Sequence, residues 1–597
     1  IQFKMPKKIV NKQNFFTFMN VENQGKNWFD LSHPNSGSCN LGQLVPILCT
    51  PTLPDDYHVL DMSYMMRLAQ MVAPPMTRLK ASFFAFYCPN RILMDSKKWD
   101  KFLADVDGNQ GVGLPSLSFS PIYQYILNSI NELRLDTSFN EAVMDLLNND
   151  SLIRETYQIP ENDKFIIDSY GTFEFSLNSG YGNPSVIYEG VEMLMTDYIL
   201  KRVTKLMGSS PFKGTLLDYF GFPVNSPLLS YSGHMYCRIE DDAIMYIDPK
   251  SNLTPSVAFQ VLPLVAYLYI WNEYFRQEFI QEEIPAEILE DFNSWKDKIN
   301  TDITYLWTMK RRDWEHDYYT SCLPAPQLGE SASITIGEDG KFTIPELREQ
   351  NAIQKIREKF LHGGTRVFEI LRNFFSSNAT DARLQIPEFI AGSSAYLSIS
   401  DIYQTAPGGN SSFPELSMDA NIASPHGASV NVSDRSLSFK FKTPEHGYII
   451  ALMSICPEPI YSQGIPRHFL SLDCLDYGFP DFANITEQPV YKYELYATPQ
   501  NVNQNGSDYP IFGWQPQYSW YKFANGELHG ELRDDLDFFH FGRIFNEEPS
   551  LNDEFLQCNP TDRPFPITYE YDKVTYHLHF NHSVERRLPF YGIPSLR

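Results

Sequence analysis

Ser32, His33 and Cys39 stand close together in "WFDLSHPNSGSCNLGQLVPILC" (28–49), and these are side chains that nucleophilic catalysis uses. A nucleophile needs its base nearby in space rather than in sequence, and no G-x-S-x-G elbow surrounds Ser32. The stretch therefore reads as a structural loop.

A second constellation lies near the other end. His577 and His579 in "TYHLHFNHSVERRLP" (575–589) fall on one face of a strand, a spacing at which two imidazoles can hold a metal. His582, at an odd offset, points elsewhere. Metal-binding jelly-roll enzymes of the cupin type carry a glycine five residues ahead of such a pair and an acid soon after it. Here "YEYDKVTYHLHFNHSVE" lacks the glycine, and Glu585 is displaced. The histidines read as packed or interfacial, so no metal ligand is assigned. With neither a P-loop nor a dinucleotide fingerprint, no catalytic residue and no cofactor is assigned either, and the chain reads as a non-enzyme.

Composition points to a large β-protein. Hydrophobic residues make up 43%, enough for a sizeable core, and aromatics reach 14% alongside 41 prolines, which suits pleated surfaces joined by long irregular connections. The net charge of −25 excludes a chain whose whole surface meets nucleic acid, because phosphate must be neutralised by Lys and Arg. Only local contacts fit. The lysines of "IQFKMPKKIVNKQ", Lys4, Lys7, Lys8 and Lys12, are the first candidates, on a basic arm (1–27) that would face the interior of a container. Arg586 and Arg587 are further candidates, and could equally tie subunits together. The eight cysteines form no C-x-x-C pair, which fits reduced thiols made in a cytosol. No charged-then-apolar leader opens the sequence, and "VAFQVLPLVAYLYIW" (257–271) is too short for a membrane span and reads as a buried helix.

The positioning elements follow from periodicity. Residues 38–50 read as a strand in which Pro46 marks an edge or a bulge. In "TRLKASFFAFYCP" (77–89) both alternating faces are largely apolar, so the strand should be covered on both sides. "SLSFKFKTPEHGYIIALMSICPEP" (436–459) reads as two strands around a turn, and 575–589 as a late strand. Helices are predicted over 263–279 and 345–360, the second stopping at "HGG" (362–364), after which Thr365 can cap another. That pair imitates a helix-turn-helix, but Val367, Phe368, Ile370 and Leu371 suit packing rather than base edges. Core strands thus lie at both ends of the chain, with long excursions between them.

Nine segments, in order, resemble the major capsid protein of the Microviridae, small single-stranded DNA phages, and its gokushovirus branch in particular. They are "FDLSH…SCNLGQLVPILC", "MVAPPMTRLKASFFAFYCPNRIL", "LLDYFGFP", "YIWNEYFR", "DYYTSCLPAPQ", "GGTRVFEILRNFF", "DARLQIPEFIAGSS", "EHGYIIALMSI" and "QGIPR". The resemblance implies a mainly β fold: a single eight-stranded viral jelly roll spanning 1–597, with long insertions containing α-helices. It implies a structural role in the virion. Sixty copies would form a T=1 icosahedral shell around a circular single-stranded DNA genome, assembled in the host bacterial cytoplasm without membrane insertion. Its partners would be a small basic DNA-packaging protein and a host surface receptor.

One departure stands out. Residues 120–213 are long and 224–262 short, whereas gokushoviruses tend to carry a threefold protrusion after the motif seen here as "LLDYFGFP". The protrusion is therefore expected in the earlier insertion, where 128–206 carries thirteen acids and six bases, net −7. Tyr181 and Tyr188, among turn residues in "SGYGNPSVIYEG", are the host-contact candidates. A jelly-roll receptor-binding spike would instead form trimers or pentamers, and a cupin-like enzyme would bind stoichiometric metal and lose activity on His577→Ala.

Overall fold

The structure, a computed structural model, describes residues 25–105 (apart from 70, 73–74 and 95), 113–118, 212–222, 224, 258–298, 302–327, 344–366, 369–370, 386–397, 437–483, 487–502, 509–566 and 571–589. It also gives the backbone of 164–167, 173–176, 193–194, 234–240, 243–248, 400–403 and 425–430.

Two antiparallel sheets face each other. The chain enters through β1 (Asn27–Asp30) and β2 (His33–Cys39), then runs through β3 (Val45–Thr52), β4 (Tyr57–Leu68) and β5 (Leu79–Pro89). It returns through β6 (Glu388–Leu397), β7 (Ser400–Tyr403), β8 (Pro425–Val430), β9 (Leu437–Lys442), β10 (Gly447–Pro457) and β11 (Val574–Arg586). The smaller sheet has the order β6-β5-β10-β3. In the larger, β4 and β11 pair along nearly their whole lengths, with β2 and β1 on β11 and β9 and β8 on β4. Chain segments cross repeatedly between the sheets, β2 to β3 to β4 to β5 and again β9 to β10 to β11, which is a jelly roll.

Among the described residues the larger sheet has seven strands and the smaller four, rather than a simple set of eight. The reason is length. β4 and β11, at 12 and 13 residues, outrun their neighbours, and their ladder groups need two short partners each. The break between β1 and β2 is local: the Asp30 carboxylate accepts from the Ser32 amide at 2.9 Å, a turn that competes with the ladder. The sequence reading of 38–50 as one strand also needs correction. Cys39 ends β2, residues 40–44 turn, and β3 begins at Val45 in the opposite sheet. Gly42 makes the turn, with φ +80° and a Cβ position only 1.8 Å from the Cys558 carbonyl oxygen. Ser32 and His33 lie at the β1–β2 junction, and Cys39 is buried. Pro46 does sit at a register shift on an edge strand.

Alternation decides which core each side chain joins. In β5, Leu79, Ala81, Phe83, Ala85 and Tyr87 point between the sheets, while Phe86 and Cys88 point away. In β10, Ile449, Ala451, Met453 and Ile455 face the sandwich, and Tyr448, Ile450 and Leu452 face outward. All of β10 is buried, because the outward side meets a second core. That core comes from the 90–387 insertion, chiefly α1 (Leu262–Tyr274), which is buried nearly all round. α1 ends before 279 because the Gln281 side chain takes the Gln277 amide at 2.7 Å. α2 (Ile344–Gly363) stops ahead of Gly364, whose φ is +81°. The 436–459 reading holds as two strands, although β9 and β10 belong to different sheets.

Within the long insertion, strands 164–167, 173–176 and 193–194 join 234–240 and 243–248 in one five-stranded sheet. Segments on both sides of "LLDYFGFP" therefore build a common element.

Candidate assembly and genome-contact surfaces

The outer face of the larger sheet differs from that of the smaller. Thr575, His577, His579 and Asn581 on β11, with Ser63, Met65 and Arg67 on β4, are exposed. On β9, Ser438, Lys440 and Lys442 are exposed as well. His577 lies opposite Met65 and Ser36, and its Nδ1 is 2.6 Å from the Ser36 hydroxyl; His579 lies opposite Ser63 and Pro34. His582 sits on the buried face, as its offset predicted. No cluster of three or more His, Cys, Asp or Glu with metal-holding geometry occurs among the described residues.

The first and last described strands meet at one end of this sheet. Asn27–Asp30 pair with Ser583–Arg586, so Asn27 lies opposite Arg586. Arg586 donates to Asp56 at 2.8 Å and to the Pro51 carbonyl at 2.7 Å, and Arg587 forks onto Asp55 at 2.6 and 3.0 Å. Lys442 and Lys26 also reach Asp55, at 2.5 and 3.2 Å. Bonds from Lys442 first, then Arg587, hold the Asp55 carboxyl well below the usual carboxylate range. Both arginines thus tie the C-terminal strand to the β3–β4 turn of their own chain. Lys4, Lys7, Lys8, Lys12, Tyr181 and Tyr188 lie outside the described residues.

Beneath this corner His58 and His582 are fully buried, with Nδ1 of His58 3.0 Å from Nε2 of His582. Burial, followed by the neighbouring His582 and Arg586 charges, lowers His58 to about 3. Burial, then His33 and Arg586, lowers His582 to about 4. Asp56 lies 3.7 Å from His58 Nε2, beyond a hydrogen bond, and that nitrogen has no partner. The pair is neutral at pH 7.

The 458–573 insertion builds a lobe with 302–327. Its centre is Arg543, whose guanidinium lies over Phe555 at 4.0 Å, Trp314 at 5.0 Å and Phe545 at 5.3 Å. It donates to the Tyr461 hydroxyl at 3.2 Å, and Tyr461 donates to Asp317 at 2.6 Å. This explains "DYYTSC": Asp317 closes a turn onto the Tyr319 and Thr320 amides, and the two tyrosines pack inward. "QGIPR" is explained too, since a Cβ on Gly464 would meet the Glu494 carbonyl at 1.9 Å and Arg467 pairs with buried Glu494 at 2.6 Å.

Sequence reasoning missed one feature of this lobe, an exposed apolar run from Phe469 to Phe482. Its signal was available in "RHFLSLDCLDYGFPDF", where leucines and aromatics sit among turn residues with neither helical nor strand period.

A jelly roll whose two antiparallel sheets carry long insertions is an architecture that viral capsid subunits use. The family model described as "Capsid protein (F protein)" matches residues 20–125, 224–343 and 337–596, and the chain belongs to this capsid protein family of the Microviridae. It is similar to Capsid protein VP1 of Chlamydia phage 1, at 23% identity over 95% of both chains. It is also similar to Capsid protein VP1 of Bdellovibrio phage phiMH2K, at 24% over 75% of this chain and 89% of that one. Capsid protein VP1 of Spiroplasma virus 4 matches at 22% over 95% and 94%. The protein is therefore a structural component of a multimeric phage capsid, and its place is the virion. Among the described residues, no helix is long and apolar enough to cross a membrane.

Proposed function

We propose that sixty copies of this chain close a T=1 icosahedral shell around a circular single-stranded DNA genome, in the host bacterial cytoplasm. The single observation that carries the genome-facing part is the asymmetry of the sandwich. The central strands of the smaller sheet, β5 and β10, are buried under insertions, whereas the larger sheet presents a polar face and carries the first described strand, β1, at its end. Among the described residues of that face, the bases Arg67, Lys440 and Lys442 are matched in number by the acids Asp30, Asp61 and Glu585, on a chain of net −25.

The arm lysines Lys4, Lys7, Lys8 and Lys12 neutralise phosphates, and a small basic packaging protein supplies the remaining positive charge. Arg586 and Arg587 contribute second, since the carboxylates and carbonyl they hold leave some of their five donors free. The 120–213 insertion, with Tyr181 and Tyr188, is the surface protrusion that meets the host receptor. Rings of jelly rolls close through repeated heterologous contacts, each modest and collectively durable.

Imaging of purified particles tests the shell: closed sixty-copy particles are expected, and isolated trimers or pentamers would sink the reading. Isolated subunits should bind single-stranded DNA weakly and with steep salt dependence. Changing the four arm lysines to alanine should reduce the slope of log K against log salt by up to about 3, from roughly 0.7 per phosphate contact. Tight, salt-resistant binding would contradict the proposal. Deleting 128–206 should leave shells closed but abolish adsorption, and loss of assembly would refute the protrusion.

A further inference from the structure

Phe469, Leu472, Leu475, Tyr477, Phe479 and Phe482 are all exposed, Leu472 to 88%. Tyr521 and Phe523 extend the same surface. The Tyr521 ring lies 3.3 Å from the Cβ position of Gly478, and Tyr518, beside it, donates its hydroxyl to the Leu475 carbonyl at 2.9 Å. Together these eight side chains expose roughly 800–900 Å2, taking about 200 Å2 for a whole large side chain. The largest apolar patch on an ordinary monomer is about 300–600 Å2, and one side of a standard interface is about 800 Å2.

The surface is also held in shape. Two short 3-10 turns, Arg467–Phe469 and Cys474–Asp476, carry it, and the Asp476 carboxylate accepts from the Leu472 and Asp473 amides, both at 2.9 Å. Pre-ordering of this kind lowers the entropy cost of docking.

We propose that the Phe469–Phe482 surface docks a second copy of this chain through a heterologous contact. The inference rests on the shell reading and adds to it a particular contact. Exposed area on the scale of one interface side argues for a protein partner, and a capsid subunit's standing partner is itself. Asp473, Asp476 and Asp481 lie within the run, so two such surfaces facing each other would oppose carboxylates. A different surface of the neighbour is therefore taken, as ring closure requires. A cavity of about 570 Å3 adjoins the patch, with Phe469, Trp520 and Phe523 on its wall, and accepts a side chain from the neighbour.

Cys474 provides a probe, because among the described cysteines it is the exposed one. In wild-type protein, maleimide modification of Cys474, read by peptide mass spectrometry, should be at least about 10-fold slower in assembled particles than in free subunits. Equal rates would overturn the proposal. Leu472→Asp with Leu475→Asp should leave folded subunits with unchanged circular dichroism, while particle yield falls about 10-fold or more; wild-type yield would overturn it. If the doubly substituted chain does not fold, the wild-type labelling decides alone. Wild-type protein that forms only a small oligomer with Cys474 protected would refute the sixty-copy shell and leave this contact standing.

Discussion

Replacing Arg543 by methionine should destabilise the subunit by about 3–5 kcal/mol, measured by chemical denaturation. Methionine keeps much of the volume among Trp314, Phe545 and Phe555, so the loss comes mainly from charge and hydrogen bonds. The change removes the donors to Tyr461 and to the Phe555 carbonyl, the latter bonded at 2.6 Å. It also leaves Asp317, buried and reached through Tyr461, without its nearest relayed cation. Tyr461→Phe, which cuts only the link, should cost about 1–3 kcal/mol. A cost below about 1 kcal/mol for Arg543→Met would mean that the aromatic packing holds the lobe without the cation.

The second expectation concerns acid. His58 and His582 stay neutral in the folded chain down to about 3 and about 4, whereas in the unfolded chain they bind protons near pH 6.5. Above pH 6.5 neither state is protonated, and the pair leaves stability independent of pH. As pH falls below 6.5 the unfolded chain takes up two protons that the folded chain refuses, and stability drops. Between pH 7 and pH 5 the pair should remove about 3–4 kcal/mol. Asp313 acts in the opposite sense: burial raises it to about 7, so its contribution is greatest in acid and declines as pH rises from about 4 to 7. The contribution of the pair is therefore read as the difference in pH dependence between the wild type and a His58→Gln/His582→Gln variant. Parallel stability curves for the two proteins between pH 7 and pH 5 would show that the imidazoles titrate alike in both states.

The effect has a location. His582 lies on β11 between the residues that pair with β2 and those that pair with β1, and His58 lies opposite the strand's last turn of pairing, beside Asp56 and Arg586. Protonation there would put positive charge beside Arg586 in a dry corner, so the terminal strands should loosen first. Hydrogen exchange of the β1 and β11 amides at pH 5 reads this directly.

Much of the fold was legible in the residues themselves. Two-residue alternation in 77–89 placed apolar side chains on both faces, and the chain supplied a core for each. The largely apolar helix at 262–274 read as a buried one, and Gly364 had to follow a helix end. These features are local: a few neighbouring side chains settle them, whatever the remainder of the chain does. The corner at 40–44 was not legible, because Gly42 turns there to bring its carbonyl to Arg312 and its amide to Ile455, both distant in sequence. The same holds for the site residues. Arg587 read as a contact for nucleic acid or for a neighbouring subunit and is bonded to Asp55 of its own chain; His582 looked like one histidine among several and is half of a buried pair with a residue 524 positions away.

The order of types along the chain was thus sufficient to specify most of the sandwich strands, a buried helix, an acidic composition with a lysine-rich start, and membership in a capsid family. Which strands share a sheet, which charges are already neutralised, and which apolar side chains remain uncovered were decided only by tertiary structure. The physical reason is range. Backbone preference and periodicity act over a few residues, whereas burial and ion pairing depend on whatever the fold brings near from the far end of the chain.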